Sequence, residues 1–181
     1  MINHLHLETH SFFGFRPGPN VLILGRVHGN EYSGTLATKA IIEAIRSGKY
    51  PLVSGSVTFI PITNPLAASR DTRNGDRNLN RAFYQKLTEP RSFEDGLNNV
   101  LCPIIEKHDI VLDLHSFLKG KEPFALIGKK PSVEKKISIK NNSIIISEEE
   151  LVSVLDVSTV LTNWSTTYVS GVKRRRLRDN V

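Results

Sequence analysis

The chain has 181 residues, 39% of them hydrophobic and 23% charged, with one cysteine and a formal charge of +6. That length supports one domain with a buried core, and a single cysteine excludes an internal disulfide framework. No apolar run reaches the roughly 18–20 residues that span a bilayer. The first six residues hold no basic segment followed by an apolar one, so the expected compartment is the cytoplasm, with no membrane partner. Residues 173–181 carry five positive charges and one negative, which leaves only +2 for the other 172 residues. That basic tail has no interleaved aromatic side chains for base stacking, which argues against a nucleic-acid partner.

In chain order, Val21 to Leu24 is a short apolar run between Pro19 and Gly25 and reads as a buried strand. From Glu31 to Arg46 the apolar residues recur with helical spacing, and Gly48 and Pro51 mark the end. Ser56 to Ile62 is β-branched and aromatic and predicts a second strand. Residues 63–82 hold Asn64-Pro65 and many polar groups and read as a long loop. Phe93 to Lys107 predicts a helix distorted near Pro103. Asp109 to Leu114 predicts a strand ending at His115, and Phe124 to Ile127 another. Ser143 to Ser147 suits a strand and Glu148 to Leu155 a short helix. Strands alternating with helices imply an α/β domain with a mixed, largely parallel sheet flanked by helices. Ligands gather beyond the carboxyl ends of such strands.

His28 and Glu31 lie just past the first of these strands, and His115 lies at the end of a later one. Two imidazoles and a carboxylate suit a catalytic Zn²⁺, one per chain, with the fourth position open to water. A structural zinc would want four protein ligands, often thiolates, and Cys102 is the only thiol. His28 and Glu31 three apart at a helix start would share one side of its first turn, with Gly29 allowing the chain to turn tightly. The H-x-x-E spacing alone arises often by chance, and Glu31 also suits a first helical turn through the helix dipole. Asp113, two residues before His115, shares its face in a strand and is a candidate to orient it. His4, His6, His10 and His108 have no such supporting pattern. Arg70, Arg73, Arg77 and Arg81 cluster with Asp71 and Asp76. Such guanidinium groups recognise carboxylates or stabilise a developing oxyanion. For Arg70 and Arg77 internal salt bridges are the expected role.

Four motifs occur in order: H-G-N-E at 28–31, N-P-x-A at 64–67, D-R-N-L-N-R-A-F at 76–83 and D-L-H-S at 113–116. Over roughly residues 18–130 the chain resembles the succinylglutamate desuccinylase/aspartoacylase family, related to zinc carboxypeptidases. The resemblance implies a zinc-dependent hydrolase that cleaves the amide of a small N-acyl amino acid. By matching motif positions it implies His28, Glu31 and His115 as zinc ligands. It also implies Arg73 as the catalytic group assisting the scissile carbonyl, Asn80 and Arg81 as the binders of a substrate carboxylate, and Asp76 as a structural partner in their loop.

The family's general-base glutamate, on a later strand after a Thr and an apolar residue, has no match. Glu122 comes too early, Glu148 to Glu150 read as a capped helix start, and residues 159–169 hold Thr166, Thr167 and Val169 but no Glu. Composition also breaks: all nine prolines lie at or before Pro131, and no histidine follows His115. The expectation is therefore a zinc carboxypeptidase-like α/β domain over residues 1–131, incomplete at its C-terminus, followed by an atypical segment over residues 132–181 with a basic tail. A shifted reading frame near Lys129 to Lys140 would produce such a tail. The expected activity is an N-acyl amino acid deacylase impaired by the missing glutamate. The alternatives are a carboxypeptidase-like peptidase and a non-catalytic zinc-binding remnant.

Overall fold

The computed structural model describes residues 6–81, 83–85, 88–117, 122–128, 135–139 and 142–163. The basic tail, Thr166, Thr167 and His4 lie outside them. The chain divides into two compact units, one through Ser116 and one over Phe117–Tyr168.

The first unit is built on a four-stranded sheet. Its strands are β1 (His10–Phe13), β2 (Arg16–Gly25), β3 (Ser54–Ile60) and β4 (Ile110–Leu114), in spatial order β1-β3-β2-β4. β3 and β4 flank β2 in parallel, and β1 pairs antiparallel with β3 at the edge. β1 was not expected: it is only four residues long, and its burial alternates weakly. The helices are α1 (Ser33–Arg46), α2 (Pro65–Ser69) and α3 (Phe93–Lys107). α3 runs through Pro103, beginning at a Ser92 side chain that accepts from the Asp95 amide. The region expected as a long loop contains α2, capped by the Asn64 side chain with Pro65 in its first turn, and a 3-10 turn over Leu79–Arg81.

Side chains of successive strand residues point to opposite faces, so β2 serves two cores. Leu22 and Leu24 join Ile60, Leu97, Leu101 and Ile105 on the α3 side. Val21 and Ile23 pack with Val57, Phe59 and Ile42 on the α1 side. Each fully buried Leu, Ile or Phe contributes about 1.5–3 kcal/mol relative to exposure. A sheet covered on both faces in this way leaves its strand ends as the place for a site.

Two local expectations are corrected. α1 begins at Ser33, not Glu31, because His28 to Glu31 form a separate turn closed by the Glu31 amide donating to the His28 carbonyl at 3.2 Å. The first turn of α1 therefore has no acidic residue, and the helix-dipole role considered for Glu31 does not apply. Nor is Gly29 the left-handed residue of that turn. The left-handed residue nearby is Arg26, two residues before the turn begins, with φ 52°. Gly29 is required instead by close approach, since a Cβ there would lie 1.9 Å from the Ala67 carbonyl oxygen.

The second unit contains β5 (Phe124–Leu126), parallel to β8 (Thr159–Leu161), a hairpin of β6 (Lys135–Ile139) and β7 (Asn142–Ile146), and α4 (Glu148–Ser153). Ser147 and Glu150 close a capping box at the start of α4, and Glu148 accepts from the Gly128 amide at 2.7 Å. Glu150 thus has the capping role its sequence suggests. Among the described residues no helix is long and apolar enough to cross a membrane.

Candidate metal centre

β2 and β4 are adjacent and parallel, and Gly25 is level with Leu114. The chain leaves both strands at one edge of the sheet, so His28 and His115 need only three residues and one residue to reach a common point. Their Nδ1 atoms lie 3.1 Å apart. Glu31 closes the group, with Oε1 2.8 Å from His28 Nδ1 and Oε2 2.8 Å from His115 Nδ1. One donor atom from each of the three residues lies within 4.8 Å of the others. His28 is 1% exposed and Glu31 7%.

The residues around them fix these groups. His28 Nε2 faces Asn78 Oδ1 at 3.2 Å, and His115 Nε2 faces Asp113 Oδ2 at 2.9 Å. Each ring therefore has its outer nitrogen held by an acceptor, leaving Nδ1 turned inward, the arrangement that fixes tautomer and ring plane in metal-binding histidines. The Ser116 amide donates to Glu31 Oε2 at 3.0 Å, and Arg73 Nη1 donates to Oε1 at 2.8 Å. Burial disfavours the Glu31 anion, but hydrogen bonds from His115, His28 and the Ser116 amide outweigh it and hold its carboxyl well below the usual range. Burial likewise opposes charge on His115, yet the Asp113 carboxylate, then Glu31, push its pKa up to about 9.

Tetrahedral zinc with bonds of about 2.0–2.1 Å separates its donors by roughly 3.3 Å. The 2.8–3.1 Å spacings between donors approach that value. Two neutral-capable imidazoles and an ionised carboxylate converge with no apolar atom among the donors. The donor set fits a divalent metal ion.

The arginine loop lies against this group. Arg73, 52% exposed at its side chain, is brought onto Glu31. Asn80 is buried in the 3-10 turn with its amide donating to Asn78 Oδ1 at 3.0 Å, while its own Oδ1 is enclosed without a partner. Arg81, one residue on, is exposed. Arg70 pairs with Asp76 and Arg77 with Asp95, the internal salt bridges expected of them. Asp76 also accepts from the Phe93 amide.

Three residues that hold the site were not singled out from sequence. Asn78 links His28 to the Asn80 amide. Glu94, fully enclosed on α3, accepts from Asn64 Nδ2 and from the Asp76 and Arg77 amides, so it pins the loop to α2. Asp95 holds Arg77 through Nε and Nη2. In sequence, Glu94 and Asp95 are ordinary first-turn acidic residues. Only the tertiary fold turns them toward the loop.

Comparison with known proteins identifies the family. The succinylglutamate desuccinylase/aspartoacylase catalytic-domain profile matches residues 17–137. The N-alpha-acetyl-L-2,4-diaminobutyric acid deacetylase of Halomonas elongata is 34% identical over 106 residues, 55% of this chain and 29% of that protein. The crystal structure of an aspartoacylase family protein from Mesorhizobium loti matches with a TM-score of 0.61 and 28% identity, covering 70% of this chain and 40% of that one. The succinylglutamate desuccinylase of Vibrio parahaemolyticus matches with a TM-score of 0.57 and 28% identity, covering 67% and 39%. The chain thus spans less than half the length of these relatives. Over two strand ends, a shared donor cluster and an arginine loop, it belongs to the succinylglutamate desuccinylase/aspartoacylase family.

Proposed function

We propose that His28, Glu31 and His115 hold one Zn²⁺ per chain and that the domain acts on the amide bond of a small N-acyl amino acid. The observation that carries this reading is the convergence of the three donors, 87 residues apart at their extremes, at the ends of two adjacent parallel strands. When bound, the ion supplies Lewis acidity toward a carbonyl and acidifies water to a pKa of about 7.

The chain's own groups divide the remaining work. Asn80 and Arg81 receive the substrate carboxylate, for which a guanidinium beside an amide donor is suited. Arg73, already at the Glu31 carboxylate, sits beside the scissile carbonyl and stabilises its developing negative charge. Asn78 and Asp113 keep the two imidazoles oriented. Hydrolysis breaks the carbonyl–nitrogen bond and releases a carboxylic acid and the amino group of the amino acid. The deacetylase relative named above supports an acyl amino acid over a peptide. The chain's one cysteine, Cys102, is buried, which accords with a reducing, cytoplasmic setting.

A second reading rests on the state of the two carboxylates at the centre. Glu31 is shared among both histidines, Arg73 and Ser116, and Asp113 is engaged with His115, so neither is free to act as general base. A metal-binding domain without turnover would show the same centre. Metal analysis of the purified protein beside His115→Ala, with turnover assays on N-acetyl and N-succinyl amino acids and short peptides, separates the readings. We expect one zinc per chain, lost in the variant, and preference for acyl amino acids. Zinc without turnover favours the second reading, and a wild type without zinc removes both.

A further inference from the structure

Two non-glycine residues of the first unit adopt left-handed backbone conformations close to the centre: Arg26 with φ 52° and Asp71 with φ 51°. Asp tolerates that region, but an arginine there is uncommon. Such strain persists where surrounding contacts over-determine it. Those contacts are present. Arg26 Nε donates to the Gly29 carbonyl at 2.6 Å, and its guanidinium lies 4.2 Å from the centroid of the Tyr32 ring. Its Nη2 approaches Asp71 Oδ1 at 3.6 Å, and the Tyr32 hydroxyl donates to that same oxygen.

The positions of these three residues in the chain matter. Arg26 is two residues before His28, Tyr32 directly follows Glu31, and Asp71 is two residues before Arg73. The cluster therefore brackets the turn that carries two metal donors and ties it to the loop whose Arg73 reaches Glu31.

We propose that Arg26, Tyr32 and Asp71 form a latch that sets the ligand turn against the arginine loop, so that all three are positioning residues for the metal centre. The proposal rests on the reading of His28, Glu31 and His115 as metal ligands. The latch touches none of those donors through its polar groups. It acts on where they stand, by fixing the backbone at both ends of the five-residue stretch between Arg26 and Tyr32. Asp71 is 61% exposed at its side chain, so the closure stands at the surface, where a substitution leaves both cores intact.

The test compares Zn²⁺ affinity, by competition with a chromophoric chelator, and the visible spectrum of the Co²⁺-substituted protein, which reports donor geometry. Tyr32→Phe keeps the ring for Arg26 and removes the hydroxyl, and Asp71→Asn removes the charge. Arg26→Gly accepts the left-handed φ without strain, so it removes the latch while sparing the fold. We expect each to bind zinc about tenfold more weakly and to shift the Co²⁺ spectrum. Tyr32→Phe/Asp71→Asn should lose less than the product of the two single effects, because both act on contacts to the same Asp71 oxygen. The metal-free unfolding midpoint of Arg26→Gly should not fall. Wild-type affinity and spectrum in Arg26→Gly and Tyr32→Phe overturn the latch. A wild type that binds no metal overturns the metal reading itself, and the latch with it.

Discussion

Asp113→Asn isolates the coupling between a proton and the metal at this centre. Asp113 Oδ2 lies 2.9 Å from His115 Nε2. Burial by itself lowers the His115 pKa, but the charge and hydrogen bond of Asp113, then those of Glu31, raise it to about 9 in the metal-free protein. At pH 7.5 nearly every metal-free molecule therefore carries a proton on His115. Zinc held through His115 would need the neutral ring, so its uptake should expel about one proton from this residue. Its share of the effective affinity rises about tenfold per pH unit below pH 9 and levels off above it. The Glu31 carboxyl, held ionised far below neutrality, adds nothing to this slope.

In Asp113→Asn the leading raising causes vanish and only Glu31 opposes burial, so the His115 pKa falls toward the ordinary imidazole range. Proton release at pH 7.5 should fall below about half a proton per ion, and the pH dependence of affinity between 7 and 8.5 should flatten. Above pH 9, where the proton no longer competes, loss of the orienting carboxylate should weaken zinc about 10–100-fold, or about 1.4–2.7 kcal/mol. Zinc titration calorimetry at pH 7.5 in two buffers of different ionisation enthalpy counts the protons. Chelator competition from pH 7 to 9.5 gives the slope. Equal proton release in wild type and variant would refute the coupling, as would a wild-type affinity flat across that range.

Three further predictions concern the residues that hold the site. Asn78→Ala removes the acceptor facing His28 Nε2 and the Asn80 amide, so zinc affinity should fall about 10–100-fold, read by the same chelator competition. Gly29→Ala places a methyl 1.9 Å from the Ala67 carbonyl oxygen. The metal-free protein should lose about 3 kcal/mol or more in urea unfolding, and an unchanged midpoint would contradict the close packing of the turn on α2. Glu94→Gln leaves two backbone amides and Asn64 Nδ2 competing for a poorer acceptor in a closed site. Stability should drop by about 1–3 kcal/mol, with a raised KM if the arginine loop receives the substrate carboxylate.

The parts of this molecule that were legible in the sequence are those whose signal is local. Short apolar and β-branched runs located β2, β3 and β4, helical spacing located α1, and α3 matches its expected span of Phe93 to Lys107. The H-G-N-E and D-L-H-S motifs pointed to the three residues that converge, because one follows a recognisable strand and the other ends one. β1 escaped because a four-residue edge strand carries little alternation. The start of α1 was misplaced because His28 to Glu31 mimic an i, i+3 helical pair while forming a turn, and nothing in the residue types separates the two. Asn78 and Glu94 could not be found at all from local pattern. Their roles exist only because the loop after α2 folds back over His28 and the start of α3 faces that loop. Arg26 shows the same limit more sharply, since a sequence does not reveal which non-glycine residue takes a left-handed φ.

The centre depends on sheet register more than on the ligand motifs themselves. His115 lies one residue beyond β4, and Gly25 and Leu114 are level across the β2–β4 pair. A register slip of one residue would move His115 about 3.3 Å along the strand and turn it to the opposite face. It would carry Asp113 with it, since the two alternate together. His28 and Glu31 would remain where the turn after β2 places them, too far for a shared ion. The packing of β4 opposes that slip, because Val111 lies against the Leu22 and Leu24 core on the α3 side and would be turned away from it. The same alternation that buries the core therefore aligns the donors, and the ion would in turn bridge the two strand ends and resist their separation.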